Sequence, residues 1–229
     1  EPVPVLACAP VAVPPSAAAN CEAFGATDAE KFASLDAIIT NAAGCGYQLK
    51  DYAHMMHEHP AAKAAAQFNA KVRDISEFLA ELGLATVKAP EPLTLAYHSA
   101  CSLQHGQKIT AAPKRLLESC GFTVREVPEG HLCCGSAGTY NILQPTLASE
   151  LRERKIGNIR SVRPDLVATG NIGCITQLSN GLDIPVVHTI ELLDWSYGGP
   201  VPAGMEGLEQ FSTPVPQPPK RTVDDYISA

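Results

Sequence analysis

The sequence has few charged residues, few aromatic residues and no run of basic residues. Charged side chains make up 18% of the 229 residues and aromatic side chains 6%, and the formal net charge is −7. An acidic chain without a Lys/Arg cluster lacks the electrostatic footprint of a nucleic-acid-binding protein. No apolar stretch approaches the ~20 residues that a membrane-spanning helix requires. These absences argue against nucleic acid as a partner and against a transmembrane segment, and they favour a globular protein.

The beginning of the sequence lacks an initiating Met, a basic leader and a proper hydrophobic stretch. Residues 1–8 are only faintly similar to a lipoprotein cleavage site, so we expect no targeting signal. Residues 1–20 consist almost entirely of Ala, Pro and Val, which predicts a poorly ordered start over residues 1–24. Residues 200–229 are rich in Pro and predict a flexible tail. We interpret the chain as a fragment or a processed product.

The sequence contains several cysteines, a residue type that can form disulfides or bind metals. The eight cysteines lie at positions 8, 21, 45, 101, 120, 133, 134 and 174. A disulfide framework is one interpretation, but the chain is long for a disulfide-stapled miniprotein, and its helix and strand patterns can support a core. Adjacent cysteines also pair poorly with each other because the intervening peptide is strained. We therefore favour a reducing compartment in which cysteines act as ligands.

The pattern Cys133-Cys134-Gly135, with Cys101 upstream and Cys174 downstream, is the most informative feature. Four thiolates that converge on one point make a soft, electron-rich site. Such a site selects an iron–sulfur cluster or zinc over hard cations.

An internal repeat organises the chain. The segment from Asp36 to Leu49 is similar to the segment from Asp165 to Leu178 at a constant offset of 129 residues. Farther on, the segment 75–79 is similar to 189–193 at an offset of 114, so the first copy carries a 15-residue insertion. We predict two copies of one α/β module, a partial one over residues 25–88 and a complete one over residues 93–199.

The second copy alternates between strand and helix patterns. Strands are predicted at Leu93–Tyr97, Phe122–Val127, Leu166–Thr169 and Pro185–His188, and helices at Pro113–Ser119, from Pro145 onward and at Ile190–Trp195. This alternation predicts an α/β fold with parallel sheets flanked by helices. All four cysteines of the pattern follow predicted strands, and sites in such sheets lie beyond the carboxyl ends of the strands.

The amino-acid sequence around these cysteines resembles that of a known family. The segments His98-Ser-Ala-Cys101, Leu132-Cys-Cys-Gly-Ser-Ala-Gly138 and Gly170-Asn-Ile-Gly-Cys174 are similar to the cysteine-rich CCG domain family. Within it, the iron–sulfur subunit of glycolate oxidase (glycolate dehydrogenase) is most similar, as in Cys133-Cys-Gly-Ser-Ala-Gly-Thr-Tyr-Asn141. Many members have Cys-x-x-Cys at the end of the motif, whereas Asn171 stands here, which is typical of the glycolate oxidase branch. The resemblance covers roughly residues 32–195 and identifies the carboxyl-terminal part of such a subunit.

The resemblance implies electron relay without bond chemistry on the substrate, so we name no catalytic residue. Cys101, Cys133, Cys134 and Cys174 would hold a 4Fe-4S type cluster as thiolates, and Gly135, Gly138 and Gly173 would let the backbone approach it and donate N–H groups to its sulfurs. A flavoprotein subunit carrying FAD would oxidise a 2-hydroxy acid such as glycolate to glyoxylate and pass electrons through this chain to an acceptor such as quinone.

Other partners and the location follow from the same resemblance. We expect further subunits of the same complex and a cytoplasmic location, with peripheral attachment at the inner face of the membrane as an alternative. Two other functions remain as alternatives. One is a structural four-cysteine zinc module that docks to partners, and the other is a thiol–disulfide redox subunit of the heterodisulfide reductase kind. Asn171 weakens the second of these functions because it leaves only four cysteines for the site.

Several residues receive a structural interpretation instead of a ligand role. Cys45 aligns with Cys174 in the repeat and is predicted to be a vestigial or structural thiol. Cys120 is predicted to be a small core residue. His98 is predicted to be a surface or hydrogen-bonded core residue, with a role beside the metal as an alternative. Glu77 and Glu191 recur in both copies, which indicates a shared structural role at a helix start.

Overall fold

The computed structural model describes residues 35–85, 87 and 93–206. The predicted poorly ordered start over residues 1–24 and residues 207–229 of the predicted tail lie outside these ranges. The chain divides into two compact units, the first ending at Phe78 and the second beginning at Leu79. In the described ranges, no helix is both long enough and apolar enough to cross a membrane.

The first unit contains a two-stranded parallel sheet with helices between its strands. Its strands are β1 (Ile38–Thr40) and β2 (Val72–Asp74). Three helices join them, namely α1 (Ala43–Lys50), α2 (Tyr52–Met55) and α3 (Ala62–Lys71), and α4 (Ile75–Leu82) follows β2 directly. Tyr52, Met56 and Ala65 form a small core here.

The second unit contains a four-stranded parallel sheet in the order β4-β3-β5-β6. The strands are β3 (Thr94–Tyr97), β4 (Thr123–Glu126), β5 (Leu166–Thr169) and β6 (Val186–His188). A π-helical turn (Ser102–Gly106) follows β3, and the helices are α5 (Ala112–Ser119), α6 (Tyr140–Leu143), α7 (Pro145–Ser161), α8 (Ile172–Ser179) and α9 (Thr189–Ser196). The predicted α/β class with parallel sheets flanked by helices is confirmed.

Local sequence explains where these elements begin and end. Pro145 occupies the first position of α7, where its missing N–H costs no helical hydrogen bond. Gly121 ends α5 with a φ of +90°, a conformation that glycine adopts without steric cost. All four residues of β5 are buried, as expected for a central strand with helices on both faces.

The internal repeat has a structural counterpart in the pairing of strands. In the first unit β1 pairs with β2, with Thr40 opposite Asp74, and in the second unit β5 pairs with β6, with Thr169 opposite His188. Both pairs are parallel, and a helix follows each of the four strands. The insertion predicted for the first copy is occupied by α2 and α3.

The recurring glutamates lie in equivalent helix starts. The carboxylate of Glu77 accepts a hydrogen bond from the backbone N–H of Asp74 at 3.3 Å, and that of Glu191 accepts one from His188 at 2.8 Å. Each carboxylate thereby satisfies an N–H group that the helix itself leaves unpaired. The predicted shared role at a helix start is confirmed.

The sequence predicts one apolar stripe on α7, formed by Leu147, Leu151, Ile156 and Ile159. The structure buries Ile156 and Ile159, but Leu147 is 48% exposed, so the prediction was wrong for Leu147. Lys155, which hydrophobic periodicity counts as solvent-exposed, is buried on the same helix.

The beginning of the predicted flexible tail also belongs to the core. Met205 is 1% exposed and lies in the main core cluster of the second unit, with Val201 packed against that cluster. Residues 200–206 are therefore packed against the folded unit, because a large apolar side chain there removes its surface from water.

Candidate metal centre

The four cysteines of the sequence pattern come from three neighbouring strands of the second unit. Cys101 follows β3, Cys133 and Cys134 follow β4, and Cys174 lies in the first turn of α8 after β5. The strand order places the topological switch point between β3 and β5, where α/β sheets bind their ligands. Cys101 immediately precedes the π-helical turn and already has helical backbone angles.

The four thiols form one continuous chain of hydrogen-bonding neighbours. Cys101 interacts with Cys133, Cys133 with Cys134, and Cys134 with Cys174. All four are free, and Cys134 and Cys174 are buried. The structure thus brings together all four predicted ligands.

The hydrogen bonds divide the thiols into two donors and two acceptors. The hydrogen bond to Cys133 and burial raise the pKa of Cys101, and hydrogen bonds to Cys133 and Cys174 raise the pKa of Cys134. The hydrogen bond from Cys101 lowers the pKa of Cys133, and that from Cys134 lowers the pKa of Cys174. The pKa shifts thus alternate in direction along the chain of thiols, because four adjacent negative charges without a cation would repel one another.

Backbone N–H groups point at three of these sulfurs. Gly135 N donates to Cys133 Sγ at 3.3 Å. The N–H groups of Ser102 and Ser136 interact in the same way with Cys101 and Cys134. These donors stabilise negative charge on sulfur and resemble the nests of N–H groups that surround anionic centres.

The loop that carries Cys133 and Cys134 is fixed from the side of the π-helical turn. Gln104 donates from Nε2 to the carbonyl of Gly130 at 2.9 Å, and Nε2 of His105 lies 3.0 Å from the carbonyl of His131. The turn that follows Cys101 is therefore hydrogen-bonded to the segment that leads into Cys133 and Cys134.

Helix α7 fixes the same loop from the other side through Glu129. Its carboxylate accepts a bidentate pair of hydrogen bonds from Arg154 and one from Asn158 at 2.8 Å. Arg154 first, and then Asn158, lower the pKa of Glu129 to about 2. The backbone carbonyl of Glu129 accepts a further hydrogen bond from Lys155 Nζ at 2.7 Å.

The three predicted glycines differ in what the structure requires of them. Gly135 has a φ of +93°, and a Cβ there would lie 2.3 Å from the carbonyl oxygen of Ala148. A Cβ on Gly173 would lie 2.7 Å from Ser136 Oγ. Gly138 has a φ of +65° but open space around it. Close packing against the backbone therefore demands glycine at Gly135, a Cβ at Gly173 would require the Ser136 hydroxyl to move, and backbone conformation alone favours glycine at Gly138.

Asn171 has a structural role beside the site. Its Oδ1 accepts hydrogen bonds from Gly173 N at 2.9 Å and Cys174 N at 3.4 Å, so Asn171 is the N-cap of α8. The N–H of Gly173, which we expected to face the metal group, is used by this cap. The cap fixes the helical turn that presents Cys174.

His98 belongs to the site, although the sequence favoured a structural role. His98 is 2% exposed, and one of its ring nitrogens lies with the sulfurs of Cys134 and Cys174 in a group whose atoms are all within 4.8 Å of one another. Nε2 of His98 makes no hydrogen bond in the described part of the chain. The signal in the sequence was its position directly after β3, where site residues collect.

The remaining described cysteines lie outside the thiol chain. Cys120 is fully buried in the main core, as predicted, and burial raises its pKa. Cys45, the third residue of α1 as Cys174 is of α8, is disulfide-bonded. The prediction of a vestigial or structural thiol at Cys45 is therefore corrected to a disulfide, and its sulfur is not a thiolate ligand.

Comparison with known proteins matches residues 95–179 to the CCG family, whose description is "Cysteine-rich domain". The matched segment contains all four cysteines of the thiol chain. The chain is 38% identical over 163 residues to the glycolate oxidase iron-sulfur subunit of Escherichia coli, covering 71% of this chain and 40% of that protein. It is 31% identical over 185 residues to the probable glycolate oxidase iron-sulfur subunit of Bacillus subtilis, covering 76% and 40%.

A third relative is a lactate utilization protein. The chain is 29% identical over 171 residues to lactate utilization protein A of Geobacillus kaustophilus, covering 71% of this chain and 72% of that protein. The chain spans about 40% of the length of the two glycolate oxidase subunits and nearly three quarters of the length of the lactate utilization protein.

Proposed function

Because this chain contains a cysteine-rich domain of the CCG family, we propose that it is an electron-transfer iron–sulfur subunit of a flavin-dependent 2-hydroxy-acid oxidoreductase. The observation that carries the proposal is the continuous chain of four thiols at the carboxyl ends of β3, β4 and β5. Its similarity to two glycolate oxidase iron-sulfur subunits, one of them named as probable, and to a lactate utilization protein supports the substrate class. Glycolate, oxidised to glyoxylate, is the proposed substrate of the whole complex.

The donor set fits a thiolate-bound metal group. Cys101, Cys133, Cys134 and Cys174 supply four soft sulfur ligands, which suit an iron–sulfur cluster of the 4Fe-4S type. Such a cluster, when bound, supplies reversible uptake of a single electron. The protein supplies the thiolates, the N–H groups that stabilise their charge, and burial that keeps water from Cys134 and Cys174.

The glycines serve this site mainly by leaving room. Gly135 contributes both space and an N–H group, which points at Cys133. Gly173 contributes space beside Ser136, since its N–H is used by the helix cap. Gly138 contributes a turn with positive φ in the same loop. We propose all three as residues that surround the bound group.

Substrate oxidation is assigned to a partner and not to this chain. The 2-hydroxy acid loses two electrons and two protons, and FAD on a flavoprotein subunit would take the hydride. This chain would then accept the electrons one at a time and deliver them to an acceptor such as quinone. We place the complex in the cytoplasm, or at the inner face of the membrane where quinone is within reach.

Exposed apolar side chains near the cysteine loop support docking of a partner. Ile142 and Leu143 on α6 are 74% and 71% exposed, and Ile172 at the start of α8 is 65% exposed. With Leu147 at the start of α7, they lie on the elements that follow the Cys133–Cys134 loop and on the helix that carries Cys174. We call these four side chains the apolar rim. Exposed apolar groups of this kind mark interaction sites, and a partner there would lie close to the metal group.

A structural zinc site is the second candidate, and His98 is the observation that favours it. One histidine and two cysteines within 4.8 Å form part of a donor set that is common in tetrahedral zinc sites. A zinc module would hold the fold and dock partners without carrying electrons.

Anaerobic purification followed by iron, sulfide and zinc analysis and by EPR tests the proposal. We expect iron and sulfide, a brown colour with absorption near ~400 nm, and an EPR signal on reduction. Cys133→Ser should abolish them, whereas Cys120→Ala, which removes a cysteine outside the site, should retain them. A colourless protein with stoichiometric zinc would contradict the cluster and support the zinc module.

A further inference from the structure

Lys155 is a cation in the core of the second unit. It lies on the buried face of α7, in line with Ala148 and Ile159, and its side chain is 1% exposed. Lysine is almost never fully buried unless it is paired, since removal of an ammonium group from water is costly. A buried lysine therefore requires an anionic partner.

No carboxylate pairs with Lys155 in the ranges that the structure describes. The carboxylate of Glu129 is occupied by Arg154 and Asn158. Lys155 reaches only the neutral backbone carbonyl of Glu129, at 2.7 Å. One carbonyl satisfies one of the three N–H groups of an ammonium and none of its charge.

The cysteines of the site act electrostatically on Lys155. Burial lowers the pKa of Lys155, and negative charge on Cys134, Glu129, Cys133 and Cys174 acts against that shift. Because only Cys133 and Cys174 have lowered pKa values in the metal-free protein, only part of this attraction is present before a metal binds. When all four thiols are deprotonated around a bound metal group, this attraction grows because every ligand then carries charge.

We infer that Lys155 is a positioning residue of the metal centre, the buried counter-charge that stabilises the four thiolates and sets the affinity and reduction potential of the group they hold. The inference rests on the proposed function, in which these cysteines bind a metal group. Arg154, the preceding residue, has a different task, since its exposed guanidinium fixes the loop through Glu129.

The sign of the effect on reduction follows from charge. Uptake of one electron makes the bound group and its thiolates more negative by one charge. A buried cation nearby stabilises the reduced form more than the oxidised form, so Lys155 raises the reduction potential. Removal of its charge lowers the potential.

Three variants of the full chain test the inference. Lys155→Met removes the charge at similar length, Lys155→Arg keeps it, and Arg154→Met breaks the anchor to Glu129 while leaving Lys155 in place. Each variant is titrated anaerobically with Co²⁺, whose thiolate charge-transfer absorption reports binding, and each reconstituted protein is titrated for its midpoint potential by EPR. Unfolding of the metal-free proteins in urea is measured in parallel.

Lys155→Met should bind Co²⁺ on the order of 10- to 100-fold more weakly than the wild type, the usual effect of losing a partner outside the ligand shell. Its midpoint potential should be lower, while Lys155→Arg and Arg154→Met stay near the wild type. The metal-free Lys155→Met protein should be at least as stable as the wild type, because it loses a buried charge that the partly protonated thiols compensate only in part. This combination separates a charge effect from a folding defect.

Unchanged Co²⁺ affinity and midpoint potential in Lys155→Met would overturn this inference but not the proposed function. The inference would also be overturned if Lys155→Met and Arg154→Met both lost metal affinity and both lost stability in the metal-free state. The anchoring of the loop, and not the charge of Lys155, would then explain the loss of affinity. A wild-type chain that takes up neither iron nor Co²⁺ would overturn the proposed function and, with it, this inference.

Discussion

Asn171 Oδ1 accepts a hydrogen bond from the backbone N–H of Gly173 at 2.9 Å. Asn171 therefore caps the helix that presents Cys174. Asn171→Ala should lower the free energy of unfolding by about 1 kcal/mol, the usual cost of losing an N-cap. Urea denaturation of the metal-free chain measures it.

The exposed Asn180 at the other end of α8 provides the matched control, because no side-chain hydrogen bond of this residue is seen in the described ranges. Asn180→Ala should change stability little, and Asn171→Ala should still bind metal through its four cysteines. A loss of metal in Asn171→Ala without loss of stability would indicate that the amide is a ligand instead of a cap.

Gly135 and Gly138 share a positive φ but differ in their surroundings. Gly138→Ala should cost roughly 1–2 kcal/mol, the penalty for a left-handed conformation. Gly135→Ala should cost more and reduce metal content, because its Cβ would also meet the Ala148 carbonyl at 2.3 Å and shift the Cys133–Cys134 loop. Denaturation curves and iron per chain measure both effects. Equal costs for the two substitutions would show that packing at Gly135 is not tight.

Metal binding should release about two protons per metal ion at neutral pH. Cys101 and Cys134 have raised pKa values and must lose protons to become ligands, whereas the lowered pKa values of Cys133 and Cys174 leave them already ionised. Protons compete with metal, so affinity falls as the pH is lowered, by about 100-fold per pH unit for two protons.

Co²⁺ titrations in weak buffer with an indicator dye count the protons, and titrations at several pH values give the slope. Cys120→Ala should release the same number because its thiol is not a ligand. Release of four protons would show that all four cysteines are thiols before metal arrives, contrary to the alternating pattern.

The apolar rim should be required for complex formation but not for metal binding. Ile142→Glu combined with Leu143→Glu should weaken co-purification with a flavoprotein subunit at least tenfold, because two charges would enter an apolar contact at over 1 kcal/mol each. Iron content should stay the same. Tyr47→Glu, at an exposed aromatic residue of the first unit, is the control. Undiminished binding by the double variant would exclude the rim as the docking surface.

The sequence predicted the architecture of the second unit well because its signals are local. Strand-length apolar runs such as Leu166–Thr169, a proline at the start of α7 and Gly121 after α5 each depend on a few adjacent residues. Repetition of these signals in the first unit made the internal repeat visible. Local signals failed for Leu147 and Met205, whose exposure depends on what packs against them.

The sequence predicted the four thiols of the candidate site but not the residues around them. The cysteine spacing and the rule that sites follow parallel strands were enough to name the four thiols. Lys155 was not named as a site residue and His98 only as an alternative, because a single sequence does not show which histidines and lysines are buried beside the thiols. The sequence likewise did not show that Cys45 is disulfide-bonded.

The sequence by itself determined the thiols Cys101, Cys133, Cys134 and Cys174, since ligand chemistry resides in the side chains and their order along the strands. Only the tertiary structure decided how these thiols share protons, because that depends on which sulfurs become neighbours when β3, β4 and β5 lie side by side. It also decided that Lys155 faces them from the core, since electrostatic interactions depend on distance and burial and not on position in the chain.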